Sequence, residues 1–109
     1  MKARWAGAAI GGGEKSAREI LMQPGDIGLG AENYHYNLLV NCPICRELHV
    51  VDIEGGVGPS GGPGRWSWDG LALTAAPSYK LTHHTGEICH WTLTNGEFTI
   101  HPDSTAKPR

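Results

Sequence analysis

The 109-residue chain has no apolar run approaching the ~20 residues that a membrane-crossing helix needs, and no membrane association is expected. It has no excess of positive charge. A formal net charge of -2 and a pI of about 6.3 deny it the basic face of a typical nucleic-acid binder. Lys2, Arg4, Lys15 and Arg18 gather near the N-terminus, but Glu14 and Glu19 lie among them, the pattern of a solvated surface. It has no even set of cysteines. Three of them disfavour a disulfide framework and, in a reducing compartment, point to metal or redox chemistry. Ala6 to Ile10 comes after Lys2 and Arg4 but runs into Gly11-Gly12-Gly13, too short a stretch for a signal-peptide core. A cytosolic origin is therefore expected.

Apolar side chains are also scarce, 39% with a mean hydropathy of -0.30, whereas glycine reaches 16 and proline 7. A chain this short buries a modest core, and a metal or cross-link would help it. Several enzyme signatures are missing. Gly13-Glu14-Lys15-Ser16 fails the phosphate-loop pattern because Glu14 stands where glycine is needed. No His-Glu-x-x-His occurs, and no His-x-Glu precedes a Pro-Cys-x-x-Cys. Gly58-Pro59-Ser60-Gly61-Gly62 formally matches a nucleophile elbow, but it sits in a glycine-proline loop instead of a strand–turn–helix, so the match is read as chance.

The remaining pattern reads as one mainly β domain. Residues 1–32 are expected to form an extended arm with one short helix, since Ser16-Ala17-Arg18-Glu19 fits a capping box and Pro24-Gly25 ends the helical segment. Gly25 to Gly30 is expected to be flexible. Such an arm is expected to gain order from a protein partner or a neighbouring copy. Residues 33–105 carry the β domain. Tyr34, Tyr36, Leu38 and Val40 alternate with polar residues, and Leu48 to Ile53 forms the return strand. Glu54 to Gly64 is a long loop, and Trp66 and Trp68 share one strand face. Asn95-Gly96 is a two-residue hairpin turn that pairs Leu93 with Phe98, Trp91 with Ile100 and His90 with His101. Cys89, Trp91, Leu93, Phe98 and Ile100 then face the core, and His90, Thr92, Thr99 and His101 the other side. Residues 106–109 form a polar tail, expected to fray along with the residues from Pro102.

Cys42-Pro43-Ile44-Cys45 at a hairpin tip has the form of a zinc knuckle. Two thiolates grip one ion, and zinc asks for two further ligands in a tetrahedron. Cys89, core-facing in the second hairpin, is the natural third. A redox Cys-x-x-Cys is disfavoured because a strand comes next, not a helix. The fourth ligand stays open among His90, His84, His49 and His35. His90 neighbours Cys89, but strict alternation turns it to the opposite face unless a bulge intervenes. His84 could fold back through Thr85-Gly86-Glu87-Ile88, and His49 lies some way down its strand. His90, His101 and Asp103, with Glu87 nearby, could form a cluster that binds metal or moves protons. Trp66 and Trp68 are candidate binding residues that could stack bases or a peptide, although at strand spacing such pairs more often pack the core.

Cys42-Pro43-Ile44-Cys45, Trp66-Ser67-Trp68-Asp69-Gly70, Pro77-Ser78, Cys89-His90, Asn95-Gly96 and Asp103-Ser104-Thr105, in this order, resemble a family of small phage and prophage proteins of unassigned function. The resemblance implies a zinc-ribbon-like β domain with a structural Zn2+. It ranks His90 first as the fourth ligand beside Cys42, Cys45 and Cys89. It implies a non-enzymatic phage accessory module, in the host cytoplasm or a virion, that contacts a protein partner through its arm. A zinc-dependent hydrolase and a nucleic-acid-binding zinc ribbon are the alternatives, with nucleic acid disfavoured by the charge. The chain departs from the family at Ala106, where members carry histidine.

Overall fold

A computed structural model describes residues 1–56 and 65–109. The mainly β expectation holds. The first four-stranded sheet runs β1 (Arg4–Trp5), β2 (Asp26–Leu29), β3 (Leu38–Asn41), β4 (Leu48–Val51). The second runs β5 (Ser67–Asp69), β6 (Thr74–Thr82), β7 (Ile88–Thr94), β8 (Glu97–Ile100). Every neighbouring pair is antiparallel except β1 with β2. Most of the Glu54–Gly64 loop, including the formal nucleophile elbow at 58–62, lies outside the described residues. Among the described residues, no helix is long and apolar enough to cross a membrane.

The two sheets share one apolar core. Ile27, Leu38, Val40 and Val51 come from the first sheet, and Ala75, Tyr79, Trp91, Leu93 and Phe98 from the second. Tyr79 and Trp91 stack with ring centroids 4.9 Å apart, and Phe98 meets Trp91 edge-on at 5.1 Å. Asn95 and Gly96, at φ 49° and 74°, close the β7–β8 hairpin, and the pairings counted outward from that turn are the ones formed. One expected core residue is exposed: Ile100, the last residue of the edge strand β8, is 48% accessible.

The segment 1–32, expected as an arm, is packed onto its own domain. Residues 1–3 line the outer edge of β8: the Phe98 amide donates to Met1 O at 2.8 Å, and the Ala3 amide to Gly96 O at 2.8 Å. The chain then crosses to the first sheet as β1, and Trp5 stacks on Trp68. The segment is therefore tied to its own domain by backbone bonds and ring stacking. The expected helix forms: α1 (Ala17–Ile20) opens with Ser16 Oγ accepting from the Glu19 amide at 3.2 Å and Glu19 Oε1 accepting from the Ser16 amide at 3.1 Å. One turn is too short to persist unaided. Ile10, Ala17 and Leu21 hold it by packing on Leu39, on the face of the first sheet turned away from the second.

Two stretches differ from the sequence expectation for identifiable reasons. Gly25 to Gly30, expected to be flexible, contains β2, seated between β1 and β3. Gly28 lies so close to the preceding loop that a Cβ there would sit 2.7 Å from Gly7 O and collide with Ile10. That glycine marks a close backbone approach, not a hinge. Tyr34 to Asn37, expected as strand, is instead a 3₁₀ turn at Glu32–Tyr34 and then left-handed His35 and Tyr36. Buried Asn37 sets this boundary, because its amide group donates to Asp52 Oδ1 at 3.0 Å and its Oδ1 accepts from the Ile53 amide.

Candidate metal centre and outer-face triad

The knuckle closes at the tip of the β3–β4 hairpin. The Cys42 amide donates to Glu47 O at 2.9 Å and the Arg46 amide to Cys42 O at 3.0 Å, with Arg46 left-handed at φ 65°. The turn aims amides at the sulfurs: Ile44 N–H reaches Cys42 Sγ at 3.4 Å, and the Glu47 amide donates to the Cys45 sulfur. Such N–H···S bonds stabilise thiolates that face a cation.

Cys42, Cys45, His49 and Cys89 are all buried, and their donor atoms lie within 4.8 Å of one another, close enough to hold a metal ion. His49 Nε2 stands 3.3 Å from Cys45 Sγ. A tetrahedral zinc with ordinary bond lengths would separate a nitrogen and a sulfur ligand by about 3.5 Å, so the donor set fits. The set draws three ligands from the first sheet's hairpin and one from β7, and an ion there ties the two sheets together.

The fourth member is His49, not His90. Val40 pairs with His49, and His49 shares the inward phase of Val51 on β4. The tight knuckle turn brings that strand position level with the sulfurs. Alternation along β7 is unbroken, so Cys89 points in and His90 points out. His84 and His35 are exposed. Sequence reasoning passed over His83. Its Nε2 lies 3.5 Å from Cys89 Sγ, and with Cys45 and Glu47 it forms a second, partly exposed donor group on the rim. Its position at the end of β6, opposite the start of β7, is the signal that could have found it.

Without a cation Cys45 and Cys89 hold their protons. Cys45 is pushed up to about 12, first because it donates its S–H to Cys42 and then by burial. Burial pushes Cys89 up to about 11, and accepting from Cys45 lowers Cys42. Metal loading must displace protons from thiols that keep them at neutral pH. Loading of metal-free chain in weak buffer is therefore expected to release roughly two protons or more per ion, and affinity is expected to fall as pH falls. A pH-stat titration with no release would contradict thiolate ligation.

The tail crosses this end of the molecule and is tied down, not frayed. The Ala106 amide donates to Ile88 O at 3.0 Å, and the Arg109 amide to Cys45 O at 2.9 Å.

A second constellation occupies the outer face of the second sheet. His90 Nδ1 lies 2.8 Å from Asp103 Oδ1, and His90 Nε2 lies 3.0 Å from Ser78 Oγ. With Nδ1–H donated to Asp103, Nε2 accepts the Ser78 hydroxyl proton. His101 stacks on the His90 ring at 4.0 Å and 12°, and its Nε2 shares a hydrogen bond with the Thr92 hydroxyl at 2.6 Å. Ser104 Oγ accepts from the His90 amide and donates to His90 O. The His90 bond, then that of Lys80 Nζ at 3.2 Å, holds the Asp103 carboxyl below its usual range.

No family model, curated protein or solved structure matches this chain.

Of the cluster expected on the last hairpin, His90, His101 and Asp103 do come together. Glu87 does not join them: just before the start of β7, it pairs with Thr85 and Arg109. Ser78 joins instead. It lies within a break in the β6–β7 register, where the four-residue step from Ala75 to Tyr79 faces the two-residue step from Leu93 to Trp91. Bulges of this kind re-aim side chains and are frequent beside active sites. The Trp66 indole N–H donates to Ser78 O at 3.3 Å and braces the bulge. Trp66 and Trp68, singled out as binding residues, are half-buried. Trp66 packs on Tyr79 and Trp68 on Trp5, and both lie against the shared core.

Proposed function

We propose that this chain is a serine hydrolase of acyl bonds, built on a β domain braced by a structural zinc ion. The carrying observation is that one imidazole is bonded through both nitrogens, to Ser78 Oγ and to Asp103 Oδ1. This is the relation of nucleophile, general base and orienting carboxylate, and it is recognised by roles and geometry, not chain order.

In this reaction Ser78 Oγ attacks the acyl carbon while its proton passes to His90 Nε2. Asp103 fixes the tautomer and stabilises the imidazolium. The bond from the acyl carbon to the leaving amine or alkoxide breaks, and the His90 proton goes to that leaving group. Water, deprotonated by His90, then cleaves the Ser78 ester, and the proton returns to Ser78. Ser78, His90 and Asp103 stand in hydrogen-bond reach of one another for these transfers.

Zinc is the ion best suited to three thiolates and one imidazole in a closed set. Four buried protein donors leave a tetrahedral ion no vacant position, which favours bracing over the zinc-hydrolase alternative. Asp103, the carboxylate that alternative would need, serves His90 and Lys80 instead.

An alkyl fluorophosphonate tests the assignment. The expected result is one phosphonyl adduct on Ser78 of the metal-loaded chain, with fluoride released, and none on Ser78→Ala. A folded, metal-loaded chain whose Ser78 stays unmodified refutes it.

A further inference from the structure

The turn after β6 fixes one more imidazole beside the thiols. The His83 amide donates to Glu87 O at 2.8 Å, and the Gly86 amide donates to His83 O at 2.8 Å. Leu81 pairs with Cys89 across the β6–β7 ladder. His83 lies two residues beyond Leu81 and keeps its phase, so it faces the same side as Cys89. Its Nε2 ends 3.5 Å from Cys89 Sγ. Glu47 approaches from the facing hairpin. It leaves the knuckle right after left-handed Arg46, and its carbonyl accepts from the Cys42 amide. Among the described residues its carboxylate enters no ion pair.

Cys45 Sγ, a carboxylate oxygen of Glu47 and a ring nitrogen of His83 lie within 4.8 Å of one another. Only Cys45 belongs both to this rim set and to the inner set of Cys42, Cys45, His49 and Cys89. The two imidazoles stand apart, with the ring centroids of His49 and His83 separated by 6.3 Å, so each can serve a different ion. Cys45 is buried, whereas Glu47 and His83 are half-buried.

We propose that the rim set holds a second, exchangeable divalent cation of the zinc class, bound through the Cys45 sulfur that it shares with the structural ion. The proposal rests on the inner set carrying that ion. Three thiolates and one neutral imidazole around a divalent ion leave the inner centre with an excess of one negative charge. That excess attracts a further cation to the rim instead of repelling it. A thiolate bound to one ion keeps lone pairs for another. A donor set of sulfur, nitrogen and oxygen suits zinc and cobalt, whereas magnesium and calcium ask for oxygen alone. Three protein donors leave the fourth position of a tetrahedral ion to water. The inner ion is closed in by protein, and the rim ion comes and goes with the free metal concentration.

Adding Co2+ to the reduced, zinc-loaded chain tests the rim. Native mass spectrometry counts each metal, and near-ultraviolet absorption reads whether sulfur touches cobalt. All three cysteines of the chain belong to the inner set, so a thiolate-to-cobalt band with the zinc retained requires a shared sulfur. The expected result is one Co2+ bound beside one retained Zn2+, with that band present. Glu47→Gln and His83→Phe are each expected to keep the zinc and to bind Co2+ at least about a hundredfold more weakly. A folded, zinc-loaded parent that takes no Co2+, or that takes it only in exchange for its zinc, overturns the rim site. So does Co2+ bound without the sulfur band, or with parental affinity in both variants, since the ion then sits elsewhere. A parent that cannot be loaded with Zn2+ instead defeats the structural-ion assignment itself.

Discussion

Replacing Cys89 with Ser, or stripping the ion with a strong chelator, is expected to unfold the chain at ambient temperature. Cys89 is the one metal donor that comes from the second sheet, so its loss cuts the only coordinate link between the sheets. Structural zinc contributes on the order of 10–16 kcal/mol in small zinc-folded units at neutral pH. A domain's net stability is about 5–15 kcal/mol, so losing the ion can consume all of it. The apolar core here is small, and the second cluster, behind the first sheet, has just four buried members. Far-UV circular dichroism and limited proteolysis, before and after chelation, provide the measurement. A melting temperature that shifts by only a few degrees would show that the sheets hold together without the ion.

The second large effect falls on the outer face. Asp103→Asn is expected to lower the acylation rate of Ser78 by up to about 10⁴-fold while the fold and the metal content persist. The reason is the tautomer. An asparagine can offer His90 Nδ1 an N–H, which forces the proton onto Nε2 and removes the acceptor Ser78 needs. Asp103 is 44% exposed, so water replaces part of the lost charge stabilisation and the effect should not exceed that bound. The rate of phosphonate adduct formation, followed by intact-mass spectrometry, reads it directly. A variant that labels at the parent rate would make the Asp103–His90 bond a surface contact only.

Local patterns are legible where one short stretch carries its own geometry. Asn95-Gly96 dictates the last hairpin and its register, Ser16 to Glu19 the capping box, and Cys42 to Cys45 the knuckle. Positions that depend on what lies across a ladder are not. By spacing alone His49 reads as too far along its strand, yet the tight turn returns it opposite Val40, level with the sulfurs. Alternation places His90 correctly, on the outer face, and ranking it first as a ligand by resemblance overrides that signal. Ser78 precedes His90 by 12 residues and Asp103 by 25. No sequence spacing announces a triad of that form, because its members meet through strand pairing and a bulge. β2 escapes a sequence reading because glycine suggests freedom, whereas Gly28 is required by contact with Gly7 and Ile10.

Cys89 and His90 are consecutive, one turned into the metal centre and the other out to Ser78. On the proposed reading, a single peptide unit mounts the brace and the base back to back. Releasing the ion would slacken the mount, and hydrolysis would vanish although no electron of the ion takes part. On the proposed reading, sensitivity to chelators alone would suggest a metallohydrolase, although the ion would act as a bolt and Ser78 as the blade.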